Sequence, residues 1–382
     1  MSENKPRFLI VKTSSLGDII QAFSTLNYLH KRFPSAMIDW VVEKRFATIV
    51  DAHPLVRRSI AFDIKRFKTR WRELRFWRIL AQSFKALRSE QYDAVFDLQG
   101  NCKSGVITFL SQSKAKVGFG RKSVREWPNV LATRVRFEIP RTINIRMQYL
   151  RLIQLFFHLE HPGLKGEVSS LEDESAVDVQ GVRFKIDSMS QALIQSLLEA
   201  PELRRGKRIM ICPGSKWINK QLPQDTLASL MNKIEEALHC SFLLVWGAEE
   251  EREICGSLQR QFSSCSCVID RMELPLWQNL MNEMDLVIAV DSSALHLCGT
   301  TSTPSFSVFG PTSPEIFKPV GATHFAYQGS CPYQMIFEKQ CPLLRSCSSG
   351  ACIRNLNADE LFGHFWKWWQ NLNFSSCNKS PV

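Results

Sequence analysis

The sequence predicts an α/β protein built from two doubly wound, Rossmann-like domains facing a cleft. Three observations lead there. Short apolar strand patterns alternate with helical patterns, the rhythm of parallel βαβ units. The rhythm stops in one polar stretch and then restarts. The 382 residues also exceed what one ordinary core covers.

In order along the chain, Phe8 to Lys12 reads as a buried strand, followed by a turn and an amphipathic helix from about Asp18 to Arg32. Met37 to Val42 is a second strand. Ala94 to Leu98 is a third, entering the loop Gln99-Gly100-Asn101. Between them Trp71, Leu74, Trp77, Leu80, Phe84 and Leu87 recur at helical spacing and predict a helix with one core-facing stripe. Glu167 to Gln180, rich in acids and serines, reads as the linker. Strands follow at Ile209 to Cys212, Phe242 to Trp246, Leu286 to Val290 and Phe306 to Phe309. The expected domains are therefore 1–180 and 181–355, with 356–382 as a C-terminal helix and tail. That helix, about Ala358 to Leu372, carries Phe362, Phe365, Trp366, Trp368 and Trp369, and is expected to bury them back across the domain junction.

No apolar stretch approaches the roughly 18 residues of a membrane span, and the polar start shows no secretory signal. A cytoplasmic location with reduced cysteines is expected, although there are 12 of them. The formal net charge is +11, which favours a polyanionic partner. The excess is concentrated between 57 and 88, where Arg66, Lys68 and Arg70 belong to a run of basic residues facing only Asp63 and Glu73. A solvated helix face is the plain reading of such a run, but the bias here is too one-sided for charge-paired solubility. A nucleic-acid partner would need a recognisable binding module, and none is present.

Four motifs lie at strand ends. Ser14-Ser15-Leu16-Gly17-Asp18 follows the first strand; small residues let the backbone approach a ligand, and a helix start favours negative groups. Asp18 there is equally a first-turn acid stabilised by the helix dipole. Pro213-Gly214-Ser215, with Lys220 just beyond, offers backbone N–H groups, a hydroxyl and a point charge to a phosphate. Asp291-Ser292-Ser293, with His296 on the following turn, suits a sugar or diphosphate. Trp246-Gly247-Ala248 is followed by Glu249, Glu250 and Glu251, any of which could grip a ribose diol. A metal is not expected: the spacings of Cys331, Cys341, Cys347 and Cys352 do not give the two C-x₂₋₄-C pairs of a structural zinc site, only Cys347 and Cys352 standing that close.

In this order the motifs resemble the lipopolysaccharide heptosyltransferases of glycosyltransferase family nine, especially its heptosyltransferase I group. The likeness runs from Phe8 to about Asn357 through VKTSSLGD, IDWVVE, YDAVFDLQGNCKSG, LLVWGAEEE and FGPTSP. The resemblance implies a GT-B fold, the acceptor on the first domain and ADP-heptose on the second. It makes Asp18 the catalytic base and Gly214, Ser215 and Lys220 the diphosphate loop, with Lys220 also stabilising the leaving group. Glu251 then contacts the ribose, Met272 lines the adenine pocket, and Asp291, Ser292, Ser293 and His296 form the donor turn. Ser14, Ser15, Gly17, Arg66, Lys68, Arg70 and Arg125 are the expected acceptor contacts. Ser293 stands where many members carry glycine, and Leu222 where most carry tryptophan.

The implied reaction is inverting, metal-independent and cofactor-free: transfer of heptose to the Kdo region of an anionic lipid-linked precursor, by a protein held peripherally at the cytoplasmic face of the inner membrane. The alternatives are a family member with another nucleotide-sugar or acceptor, and a non-catalytic sugar-nucleotide binder.

Overall fold

The computed structural model describes residues 5–63, 72–160 and 181–377. The chain forms two compact units, one of 1–179 with 183–185 and one of 180–182 with 186–382. The polar stretch 167–180 lies outside the described residues.

The first unit is a six-stranded sheet of β1 (Arg7–Val11), β2 (Met37–Glu43), β3 (Arg58–Phe62), β4 (Tyr92–Asp97), β5 (Ser113–Phe119) and β6 (Val135–Phe137), in the order β3-β2-β1-β4-β5-β6. Every pairing is parallel. Helices on both faces bury β1, whose Leu9, Ile10 and Val11 are fully enclosed; this is why the central strands are continuous apolar runs. The expected helix after β1 is two helices, Leu16–Ala22 and Ser24–Arg32, joined at Phe23. The Ser24 and Thr25 hydroxyls donate back to the Gln21 and Ala22 carbonyls at 3.1 and 2.7 Å, competing with the helical ladder at the joint.

The helix Leu74–Arg88 packs Leu80, Phe84 and Leu87 on the sheet, but Leu74 and Trp77 stay exposed, so only its C-terminal half is core-facing. Arg57 and Arg58 leave the expected basic surface. Both bind the fully buried Asp39: Arg57 through Nε and Nη2 at 2.7 Å each, Arg58 through Nε at 2.9 Å, while the Tyr92 hydroxyl donates to the same carboxylate at 2.7 Å. A buried carboxylate requires such partners. Arg66, Lys68 and Arg70 lie outside the described residues.

The second unit repeats the arrangement with β7 (Arg208–Cys212), β8 (Ser241–Leu244), β9 (Ser266–Val268), β10 (Leu286–Val290), β11 (Ser305–Phe309) and β12 (His324–Gln328), ordered β12-β11-β10-β7-β8-β9 and again all parallel. The C-terminal helix runs Ala358–Cys377. Its Phe365, Trp368 and Trp369 enter the core of this same unit, with Phe365 edge-on to Phe306 of β11. Phe362 and Trp366 pack against the same core.

Candidate functional site

In each sheet the connections leave in opposite directions from two adjacent central strands, and loops beyond the carboxyl ends of such strands frame a crevice. In the first unit these strands are β1 and β4. Gln99, after β4, uses its side-chain oxygen to accept the N–H groups of Thr13 and Ser14, both at 3.1 Å, and so holds the loop after β1. Trp40 Nε1 donates to the Lys12 carbonyl at 3.0 Å, and Lys12 Nζ donates to Leu98 O at 3.3 Å while lying 4.7 Å from the Tyr149 ring centroid.

Ser15 caps the helix Leu16–Ala22, and the half-buried Asp18 accepts its N–H at 3.0 Å and its hydroxyl at 2.9 Å. The carboxylate therefore has the first-turn role that its position allows. It remains at the rim of the loop between the half-buried Ser14 and Gly17. The exposed Arg125 adjoins the β4 loop, where Glu126 N–H donates to Gly100 O at 2.9 Å.

Tyr149, on the helix Ile145–Glu160, is buried beneath Lys12. Burial raises its phenol well above the ordinary range; Asp18 adds to the rise, and Arg125 and Arg146 oppose it. The phenol thus stays protonated, within electrostatic reach of Asp18, Arg125 and Arg146. The structure brings Ser14, Ser15, Gly17, Asp18 and Arg125 into one neighbourhood. Sequence reasoning missed Gln99, Arg146 and Tyr149; only Gln99 carried a signal, its place at a strand end.

In the second unit the diverging strands are β10 and β7. Asp291, directly after β10, is 6% exposed. Its Oδ2 accepts Lys220 Nζ at 2.5 Å and the Thr312 hydroxyl at 2.6 Å, and its Oδ1 lies 3.8 Å from His296 Nε2. Burial works against the Asp291 charge, but Lys220 and His296 outweigh it and hold the carboxyl below its usual range. Sequence reading gave Lys220 and Asp291 separately to the donor. The structure pairs them with each other, because a carboxylate this buried needs a counter-charge. Ser292 caps the helix Ser293–Cys298, and its buried Oγ has no hydrogen-bond partner.

Of the three acids after β8, Glu251 turns back to the strand end. Its Oε2 accepts Gly247 N–H at 2.7 Å and Ala248 N–H at 3.3 Å, whereas Glu249 faces Arg252. A Cβ on Gly214 would lie 2.0 Å from the Glu251 carboxyl carbon, so glycine is required there for the acid to reach the β7 loop. Ser215 is buried, and Met272 is half-buried between β9 and the helix Leu274–Met281. Gly214, Ser215, Lys220, Glu251, Asp291, Ser292, Ser293 and His296 thus all stand beyond the carboxyl ends of β7, β8 and β10.

Residues 80–346 match the family model for glycosyltransferase family 9 (heptosyltransferase). The chain is 28% identical to lipopolysaccharide heptosyltransferase 1 of Pseudomonas aeruginosa over 88% of its own length and 87% of that protein. It is 25% identical to lipopolysaccharide heptosyltransferase 1 of Escherichia coli K12, over 82% and 91% of the two chains. Among solved structures, E. coli heptosyltransferase WaaC with ADP superposes with a TM-score of 0.72 at 22% identity, covering 95% of this chain and 99% of that one. E. coli ADP-heptose lps heptosyltransferase II gives 0.66 at 15% identity over 96% and 99%. These likenesses show the fold: two parallel six-stranded sheets flanked by helices, as in GT-B glycosyltransferases. With the family model covering most of its length, the chain belongs to glycosyltransferase family 9, the heptosyltransferases.

Proposed function

We propose that this enzyme transfers heptose from ADP-heptose to the Kdo region of an anionic, lipid-linked lipopolysaccharide precursor. The observation that carries the reading is the pair of furnished strand-end sites: the half-buried Asp18 carboxylate held by Ser15 in the first unit, and Lys220 with Ser292 and Glu251 in the second. Asp18 removes the proton from the acceptor hydroxyl, whose oxygen bonds to the anomeric carbon as the bond to ADP breaks, inverting that carbon. Lys220 meets the charge arriving on the terminal phosphate, exchanging part of its contact with Asp291 for the phosphate oxygens. The exposed Arg125 offers a planar double donor to acceptor carboxylates or phosphates. Asp18→Asn should lower kcat by about 10²–10⁴-fold with donor KM little changed. Activity within tenfold of the parent enzyme would remove Asp18 as the base.

The same reading puts the enzyme at the cytoplasmic face of the inner membrane. No described helix is long and apolar enough to cross a membrane. Support for surface contact comes from Val106 and Phe109 on the helix Cys102–Leu110 and from Trp127 and Leu131 on the adjoining turn, all exposed. Lys103, Lys122 and Arg125, also exposed, lie in the same stretches of chain. Apolar side chains bordered by cations match an anionic lipid surface. Phe109→Ser with Trp127→Ser should weaken binding to anionic vesicles and raise acceptor KM, leaving soluble-donor KM unchanged. Unaltered vesicle binding would remove this surface from the account.

A further inference from the structure

Asp291 Oδ2 accepts two donors that arrive on different loops: Lys220 Nζ at 2.5 Å from the loop after β7, and the Thr312 hydroxyl at 2.6 Å from the loop after β11. Both loops are bonded to one further stretch of chain, 329–350, between β12 and the helix Ala351–Arg354. We infer that this stretch is a brace that sets Lys220 and Thr312 on Asp291, and that Asn219 is the positioning residue through which it holds Lys220. Its effect on ADP rests on the proposed donor site; its effect on the loops rests on the contacts alone.

The stretch has no helix or strand of its own, so its order comes from what it touches. On the β11 side the backbones are stitched together. Ser313 N–H donates to Lys339 O at 3.0 Å, Cys341 N–H donates to Pro311 O at 2.8 Å, and Thr312 forms an antiparallel bridge with Gln340. Gln328, at the end of β12, adds a side-chain donor to Gly310 O at 2.6 Å. Thr312 is therefore fixed from both flanks, and its hydroxyl has a defined place beside Asp291.

On the β7 side the tie is a side chain. Asn219 Nδ2 donates to Leu344 O at 2.7 Å, and Asn219 directly precedes Lys220 in the short turn Ile218–Lys220. Gly350 lies flush against it: its φ is +55°, and a Cβ there would stand 2.9 Å from Asn219 Cα. Glycine is required on both counts.

The surroundings of Asn219 show what the amide is for. The residue is 4% exposed, its Oδ1 has no hydrogen-bond partner, and it lines a cavity of about 120 Å³ with Pro311, Met335, Phe337 and Leu343. An apolar side chain would suit those walls better, and an unpaired buried carbonyl opposes folding. The bond that the side chain does make runs to the brace, one peptide away from the lysine that meets the phosphate. A charged donor displaced by about 1 Å can lose up to about 10²-fold of its effect, so a brace of this kind has consequences for binding.

The test is calorimetric ADP binding by Asn219→Leu, Lys220→Met and the double variant, with hydrogen–deuterium exchange on the same proteins. Ile336→Ser, at a brace position 94% exposed, is the control. Leucine keeps the volume and suits the cavity wall, and slow exchange in β10 would certify a folded variant. Asn219→Leu should weaken ADP binding about tenfold. In the Lys220→Met background the same substitution should change Kd by less than about twofold. Segments 213–220 and 339–345 should exchange faster in Asn219→Leu, and Ile336→Ser should match the parent in both measurements. Should Asn219→Leu not fold, Gly350→Ala, which pushes the brace off Asn219, carries the same expectations. A parent chain that binds no ADP would count against the proposed function, while faster exchange confined to those two segments would still support the brace. Unchanged exchange at 213–220 would overturn the brace. ADP affinity like the parent's in a folded Asn219→Leu, or an equal loss with and without Lys220, would overturn the action of Asn219 through Lys220.

Discussion

Lys220 and Asp291 offer the sharpest separation of fold from function, through Lys220→Met, Asp291→Asn and the double variant. Asp291 is 6% exposed and the Lys220 side chain 14%, so the pair is largely desolvated. Removing one member of such a pair costs about 3–5 kcal/mol. The lower end is expected for Lys220→Met, because the Thr312 hydroxyl still donates to Asp291 at 2.6 Å and His296 lies 3.8 Å away. For a domain of this size, about 3 kcal/mol lowers Tm by roughly 6–12 °C. Asp291→Asn frees a lysine that can reach solvent, and should cost about 1–2 kcal/mol. The double variant should fall short of the sum by about 1–3 kcal/mol.

ADP binding, measured by calorimetry, should divide the two. Lys220→Met gives up a charged hydrogen bond of about 1.5–3 kcal/mol, roughly a 10–150-fold weaker Kd. Asp291→Asn should hold Kd within about threefold, since the lost carboxylate repelled the diphosphate. Additive stabilities with changes under about 2 °C would refute the pairing. Equal ADP affinity for Lys220→Met and the parent, or activity that appears only on adding magnesium, would refute the role in leaving-group stabilisation.

Two further outcomes follow from the geometry. His53, buried between Phe23 and Phe184, is pushed down to about 3 by burial, with Lys185 adding to the effect. A depressed histidine stabilises the fold fully above its unfolded value near 6.5, and that stability drains away as pH falls toward 3. Denaturant midpoints should therefore report a loss of about 1.4 kcal/mol per pH unit between 6.5 and 4.5. That interval lies above the titration of Asp39 and Asp291, and His53→Asn should flatten the slope; an unchanged slope in the variant would assign it elsewhere. Gly214→Ala drives the Glu251 carboxylate from the Gly247 and Ala248 N–H groups, and should cost about 1 kcal/mol of stability and weaken ADP binding about tenfold. Parent-like ADP affinity in that variant would take Glu251 out of the donor site.

Much of the architecture was legible because burial on both faces writes itself into a parallel strand as an unbroken apolar run. Leu286–Val290 has the bounds its five apolar residues predict. The half-buried strands Arg58–Phe62, Ser113–Phe119 and His324–Gln328 escaped, since charged and polar residues interrupt their pattern away from the sheet centres. Strand-end position similarly marked Asp18, Gly214 and Asp291 as site residues, because parallel sheets put loops and helix starts at one end.

Partnership was decided only by tertiary structure. Nothing local distinguishes Arg57, which meets Asp39 across neighbouring strands, from the exposed Arg78 further along the same basic run. Glu251 and Gly214 are 37 positions apart, Lys220 and Asp291 71, and the contact exists because two β-strands lie side by side. Sequence by itself determined which residues form strands and which chemistry stands at their ends, through local burial patterns and turn geometry. Which charges neutralise one another depends on distances between remote segments, and only folding sets those.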